Sequence, residues 1–143
     1  MNYNNMEATE ITVEALINAP LDKVWNTWNK PEDVLKWNAA SEDWHTTNAE
    51  IDLKIGGGFS YRMEAKDGSF GFDFWGTYSQ IEIPTFLEIF LGDGRKMTVY
   101  FTMDGDKTRV KEIFEAETEN SIELQKSGWQ AILNNFKKYI ENQ

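Results

Sequence analysis

The sequence predicts an α+β fold: a curved antiparallel sheet of six or seven strands wrapped around a long C-terminal helix, with two short helices after the first strand. Three observations predict it. The hydrophobic period changes from that of a strand to that of a helix near Pro20, returns to strand through the middle, and turns helical again near residue 121. Asp-Gly pairs at 67–68, 93–94 and 104–105 separate strand-like segments as hairpin turns do. Neighbouring strands are then antiparallel, which excludes a doubly wound dinucleotide-binding sheet. Lastly, six Trp, five Tyr and nine Phe make up 14% of 143 residues, an aromatic mass that must fill a core or line a cavity.

The elements follow in order. Residues 10–17 alternate, with Ile11, Val13, Ala15 and Ile17 on one face of a half-buried strand. Beyond Pro20, Leu21, Val24, Trp25 and Trp28 stand at helical spacing. Pro31 at a first helical position, with Glu32 and Asp33 behind it, opens a second short helix whose apolar side is Val34, Leu35 and Trp37. Strands are expected at 50–55, 58–66, 69–83, 86–91, 96–103 and 108–117. On 58–66, Phe59, Tyr61 and Met63 share the inward parity; on 69–83, Phe70, Phe72, Phe74 and Tyr78 share one parity, and Trp75, Ile81 and Ile83 the other. Strand 86–91 is apolar on both parities, which leaves its inward face open. The last helix spans about 121–141, capped by Asn120 with Glu123 or by Ser121 alone. Trp129, Ile132, Leu133, Phe136 and Ile140 form its apolar stripe, and Ile122 extends it backwards.

The length suits one domain, taken as residues 9–143, with the polar segment 1–8 flexible. No cysteine means no disulfide, thiol nucleophile or thiolate metal site, and one histidine excludes multi-histidine metal centres. The net charge is −10, half of it within residues 1–49, so the acidity is spread along the chain. Such a surface repels phosphate backbones and anionic lipid. No nucleic-acid partner, membrane insertion, metal or cofactor is therefore expected. Residues 1–10 lack the basic start and apolar run of a signal peptide, giving a cytoplasmic expectation. Oligomeric state is not legible.

Gly56-Gly57-Gly58 leads into a strand rather than a Lys-Ser/Thr helix start, so it reads as a structural turn and not a phosphate loop. Gly128 inside a helix costs about 1 kcal/mol relative to Ala; close packing of helix on sheet is its expected reason, ahead of a widened pocket mouth. His45, in the polar stretch 41–45, reads as an exposed loop histidine.

Several landmarks recur in one order: Ile17-Asn18-Ala19-Pro20 with Val24-Trp25, Pro31-Glu32 before Trp37, Asp52 before Gly56-Gly57-Gly58-Phe59, Gly76-Thr77-Tyr78 before Pro84, and Gly128-Trp129 in the last helix. In these the chain resembles the START-related helix-grip (SRPBCC) superfamily, and within it the bacterial homologues of the heat-shock-protein-90 ATPase activator. The resemblance implies a cavity between the concave sheet and the long helix, a small hydrophobic molecule as partner, and Trp37 with Trp44 at the pocket entrance. The expected ligand is lipid-, isoprenoid- or polyphenol-like. The residues expected to line its site are Trp37, Trp44, Phe59, Tyr61 and Trp75, with Tyr78, Tyr100, Trp129 and Leu133. A chaperone partner is the alternative the family name implies. A cyclase or hydrolase is the second alternative, with Glu88, Asp73, Glu112, Tyr61, Tyr78 and Tyr100 as candidate inward polar groups. No nucleophile, base and orienting group stand together in the sequence, so no catalytic residue is assigned and binding is preferred to catalysis.

Overall fold

A computed structural model describes residues 8–143. The expectation of a flexible 1–8 segment falls, for residues 1–7, outside the described residues. The chain runs through β1 (Glu10–Ile17), α1 (Leu21–Trp28), α2 (Pro31–Trp37), β2 (Trp44–Ile51), β3 (Gly58–Ala65), β4 (Gly71–Glu82), β5 (Phe86–Leu91), β6 (Lys96–Asp104), β7 (Lys107–Glu115) and α3 (Ile122–Glu141). The strands form one antiparallel sheet in the order β1-β7-β6-β5-β4-β3-β2. β2 to β7 is a meander, while α1 and α2 carry the chain between the two edge strands, β1 and β2. The α+β arrangement read from the sequence is the arrangement observed.

The three Asp-Gly turns close hairpins as expected, with Gly68, Gly94 and Gly105 at positive φ. Asp67 and Asp93 brace theirs by accepting from the backbone N–H groups of Ser69 and Arg95. Ser121 is the cap of α3, its hydroxyl accepting from the N–H of Leu124 at 3.1 Å.

Three expectations need correction. The strand placed at 50–55 is β2 at 44–51, and the chain turns away after Ile51. A bulge between Thr46 and Asn48 switches the inward set from Trp44 and Thr46 to Ala49 and Ile51, so strict alternation is lost and the strand is hidden from a period-two reading. His45 therefore lies exposed on an edge strand rather than in a loop. Second, Leu35 and Ile122 are exposed and not part of the buried faces of their helices. Near the start of α3, Gln125 is the buried residue. Third, a bulge between Tyr78 and Gln80 reverses the parity of β4, so Ile81 turns inward opposite Leu87. β5 resolves with Leu87, Ile89 and Leu91 buried and Phe86, Glu88 and Phe90 outward.

The glycine turn before β3 has a steric reason. Gly56 sits at φ 84, and a Cβ on Gly57 or Gly58 would lie 2.4 Å from the backbone oxygen of Asp52 or Gly76. Any side chain there would break the pairing of this turn with Tyr78, whose backbone exchanges hydrogen bonds with Gly56 and Gly57.

The C-terminal half of α3 is bound tightly. Leu133, Phe136 and Ile140 are almost wholly buried. Phe136 meets Trp28 and Trp37 edge-on, both at 5.0 Å between ring centroids, and Trp28 in turn meets Phe101 of β6. Asn135 donates to the carbonyl of Trp37, Lys137 to that of Leu16, and the N–H of Asn18 donates to Glu141. Phe136→Ala removes the ring at the centre of this cluster, and unfolding in urea is expected to show about 3–5 kcal/mol of lost stability. A loss below about 1 kcal/mol would mean that the cluster does not hold the helix.

Candidate functional site

The N-terminal half of α3 stands differently. Trp129 stacks on Phe114 of β7, with centroids 3.7 Å apart and planes 12° apart, and meets Phe74 of β4 edge-on at 5.8 Å. β6 and β5 lie between β7 and β4, so one indole touching both shows how strongly the sheet curls. Beside this contact lies a cavity of about 370 Å³. Its sheet wall is Phe59, Tyr61 and Met63 of β3, Phe72, Phe74 and Tyr78 of β4, Leu87 and Ile89 of β5, Met97 of β6 and Glu112 of β7. The α3 wall is Leu124, Gln125, Gly128, Trp129 and Ile132, and Trp28, Trp37, Asn38 and Ala40 close the end. Phe72 and Leu124 are 40% and 60% exposed, so the cavity reaches the surface between them.

Five of the nine residues expected from the sequence line this cavity: Trp37, Phe59, Tyr61, Tyr78 and Trp129. Four do not. Trp75 is half exposed on the outer face, where its ring covers Gly92 so closely that a Cβ there would lie 2.4 Å from it. Tyr100 is also on the outer face, paired across strands with Phe86 and lying under the Lys111 ammonium. Trp44 packs behind the mouth against Phe70 and Phe72, and with His45 it borders a separate hollow between α2, β2 and α3. Leu133 is wholly buried in the closed half of the interface.

Gly128 corrects another expectation. A Cβ built there meets nothing within 4 Å among the described residues, so close packing does not explain this glycine. It borders the cavity, and the missing side chain leaves space there.

The polar groups of the wall are few. Glu112 shares parity with Val110 and Phe114, as the sequence indicated, and is 6% exposed. Burial alone pushes its carboxyl up to about 8. Tyr61 is held well above the ordinary phenol value, first by burial and then by Tyr78 and Glu112, which are near enough to act on it. Tyr78 is raised too, by burial first and then by Asp52. The indole Nε1 of Trp37 is buried and has no acceptor among the described residues. Glu88, by contrast, faces outward, accepting from Ser79 and Gln80. Asp73 is exposed beside Arg62. Among the described residues there is no cluster of three or more groups suited to a metal ion, and no helix long and apolar enough to cross a membrane.

Comparison with known proteins is decisive for the family. Residues 18–141 match the family model described as activator of Hsp90 ATPase homolog 1-like protein. The chain belongs to that family. An AHSA1-like protein from Aeromonas hydrophila, solved by NMR, is 47% identical over 94% of this chain and 93% of its own, with a TM-score of 0.88. A protein from Cytophaga hutchinsonii is 50% identical over 93% of this chain and 92% of its own, with a TM-score of 0.81. CalU16 from Micromonospora echinospora, 21% identical over 94% of this chain and 77% of its own, shares the fold with a TM-score of 0.70. No curated protein matches the chain.

The buried acid makes a prediction about stability. Folding raises the Glu112 pKa from 4.5 to about 8, so between those values the folded chain keeps a proton that the unfolded chain has released. Its contribution to native stability therefore declines from pH 4.5 to 8 and is constant beyond. Glu112→Gln is expected to match the parent below pH 4.5 and to melt more than about 5 °C higher at pH 8. Equal melting temperatures at pH 8 would contradict a desolvated carboxyl.

Proposed function

We propose that the chain binds a small hydrophobic or aromatic molecule, of lipid, isoprenoid or polyphenol character, in the cavity between the sheet and α3. The observation that carries this is Gly128. A glycine in the middle of a helix costs about 1 kcal/mol relative to Ala, and an isolated one has a packing or functional reason. Here no neighbour lies close enough to give a packing reason, and the space left open borders a cavity with apolar walls. The volume, about 370 Å³, falls within the roughly 300–1,000 Å³ of small-molecule pockets. An apolar guest gains about 25 cal/mol for each Å² it buries there. The family description also supports a chaperone partner, which would engage the outer surface and be indifferent to the cavity's volume.

Gly128→Leu separates the two. Leucine is a better helix former by most of 1 kcal/mol, and its side chain enters open space, so the variant is expected to melt at or above the parent temperature. Titration of hydrophobic compounds followed by tryptophan emission should shift the signal of the parent, in which Trp129 lines the site, and lose at least tenfold in affinity in the variant. Unchanged affinity in a folded Gly128→Leu protein would refute the cavity as the binding site. A parent chain that responds to no compound while retaining a chaperone in a pull-down would favour the surface reading.

A further inference from the structure

We infer that this cavity selects an uncharged ligand bearing a hydrogen-bond acceptor, a carbonyl oxygen above all, and seats that acceptor against Glu112, Tyr61 and Tyr78. The inference rests on the cavity-binding reading and specifies its ligand.

It follows from which polar groups in the wall are already used. Asn38 donates to Thr46. Gln125 accepts from the N–H of Glu117 and donates to the carbonyls of Glu117 and Asn120. At the rim, Arg95 is held by Asp93 at 2.7 Å and by the carbonyl of Glu115 at 3.0 Å. The carboxylate of Glu117 accepts from Glu119 and Asn120. Of the titratable lining groups, three make no side-chain hydrogen bond among the described residues: the phenols of Tyr61 and Tyr78 and the carboxyl of Glu112, all in residues at most 7% exposed. Polar groups on residues this buried are nearly always paired, so three without a protein partner around one space mark where a ligand's partner atom belongs.

The chemistry of those groups selects the partner. Two phenols and a protonated carboxyl each offer a proton. The set is rich in donors, and a carbonyl oxygen with two lone pairs answers it. An ammonium brings only further donors. A carboxylate finds Arg95 already engaged and must compete with Glu112 for one proton. The titratable groups sharing the wall with Glu112 are Tyr61 from β3, Tyr78 from β4, Arg95 from the β5–β6 turn and Glu117 from the loop before α3. Its cross-strand neighbours, Val13 and Val99, and all the α3 lining residues are uncharged. Both tyrosines are held above their ordinary value and Glu117 below its own, so Glu112 is the lining carboxyl or phenol that titrates between pH 7 and 9. With its pKa at about 8, its protonated fraction drops about tenfold over that range.

The test is calorimetric titration of the full chain with four probes of similar size: acetylnaphthalene, ethylnaphthalene, naphthoate and naphthylmethylamine. At pH 7 the ketone is expected to bind at least tenfold more tightly than each of the others. Its affinity should fall about tenfold by pH 9 in the parent and stay level in Glu112→Gln, whose amide still donates but does not titrate. Tighter binding of naphthoate or naphthylmethylamine would overturn the inference, as would the same pH dependence in both proteins. If ethylnaphthalene binds as well as the ketone, the acceptor inference fails while cavity binding stands; if none of the four binds, both fail.

Discussion

The stack of Trp129 on Phe114 sets the distance between helix and sheet, and the rest of the site depends on it. A flat indole lying on a phenyl ring holds the backbone of α3 a ring's thickness further from β7 than an aliphatic contact would. The same indole meets Phe74 across the curl of the sheet, so it cannot tilt without losing an aromatic contact on one side. One helix therefore makes two kinds of interface. Beyond Ile132 it is packed closed against Trp28, Trp37 and the first strand; from Leu124 to Ile132 it forms one wall of a cavity. Hydrogen bonds tie both ends: Gln125 to the preceding loop, and Asn135 and Lys137 to backbone carbonyls of α2 and β1. The helix can leave space beneath its first turns because its last turns are anchored.

The departures from good packing fall at this cavity. A glycine weakens the helix, and the carboxyl of Glu112, a residue only 6% exposed, has no hydrogen-bond partner among the described residues. Each is unfavourable on its own, and proteins retain such features where function requires them. The anchored half of the same helix has close aromatic packing, and its Asn135 and Lys137 are hydrogen-bonded to backbone carbonyls. That contrast within twenty residues of one helix points to the cavity as the functional part.

Much of this was legible in the sequence because strand and helix periods are simple. Phe59, Tyr61 and Met63 alternate cleanly, and Asp-Gly turns mark the hairpins, so the meander and the inward face of β3 could be read directly. The bulge in β2 breaks the alternation that identifies a strand, so a period-two reading misplaces it. Aromatic character points Trp75 and Tyr100 inward, but rings also stabilise an outer face when they cover a glycine or pair across strands. Gly128 reads as close packing because a sequence does not show what stands opposite a missing side chain. Glu112 could be placed inward by parity; that nothing answers its carboxyl depends on residues from four other strands and a helix, which only the fold brings together.

The account stands or falls on whether the space beside Trp129 is open and apolar. A crystal structure under xenon pressure tests this without a choice of ligand, because xenon enters apolar cavities and is excluded from close-packed interiors. The account predicts xenon density bounded by Phe59, Phe74, Trp129 and Ile132, with α3 unmoved. An interior without xenon, in which Trp129 and Leu124 have closed onto β3, would contradict it.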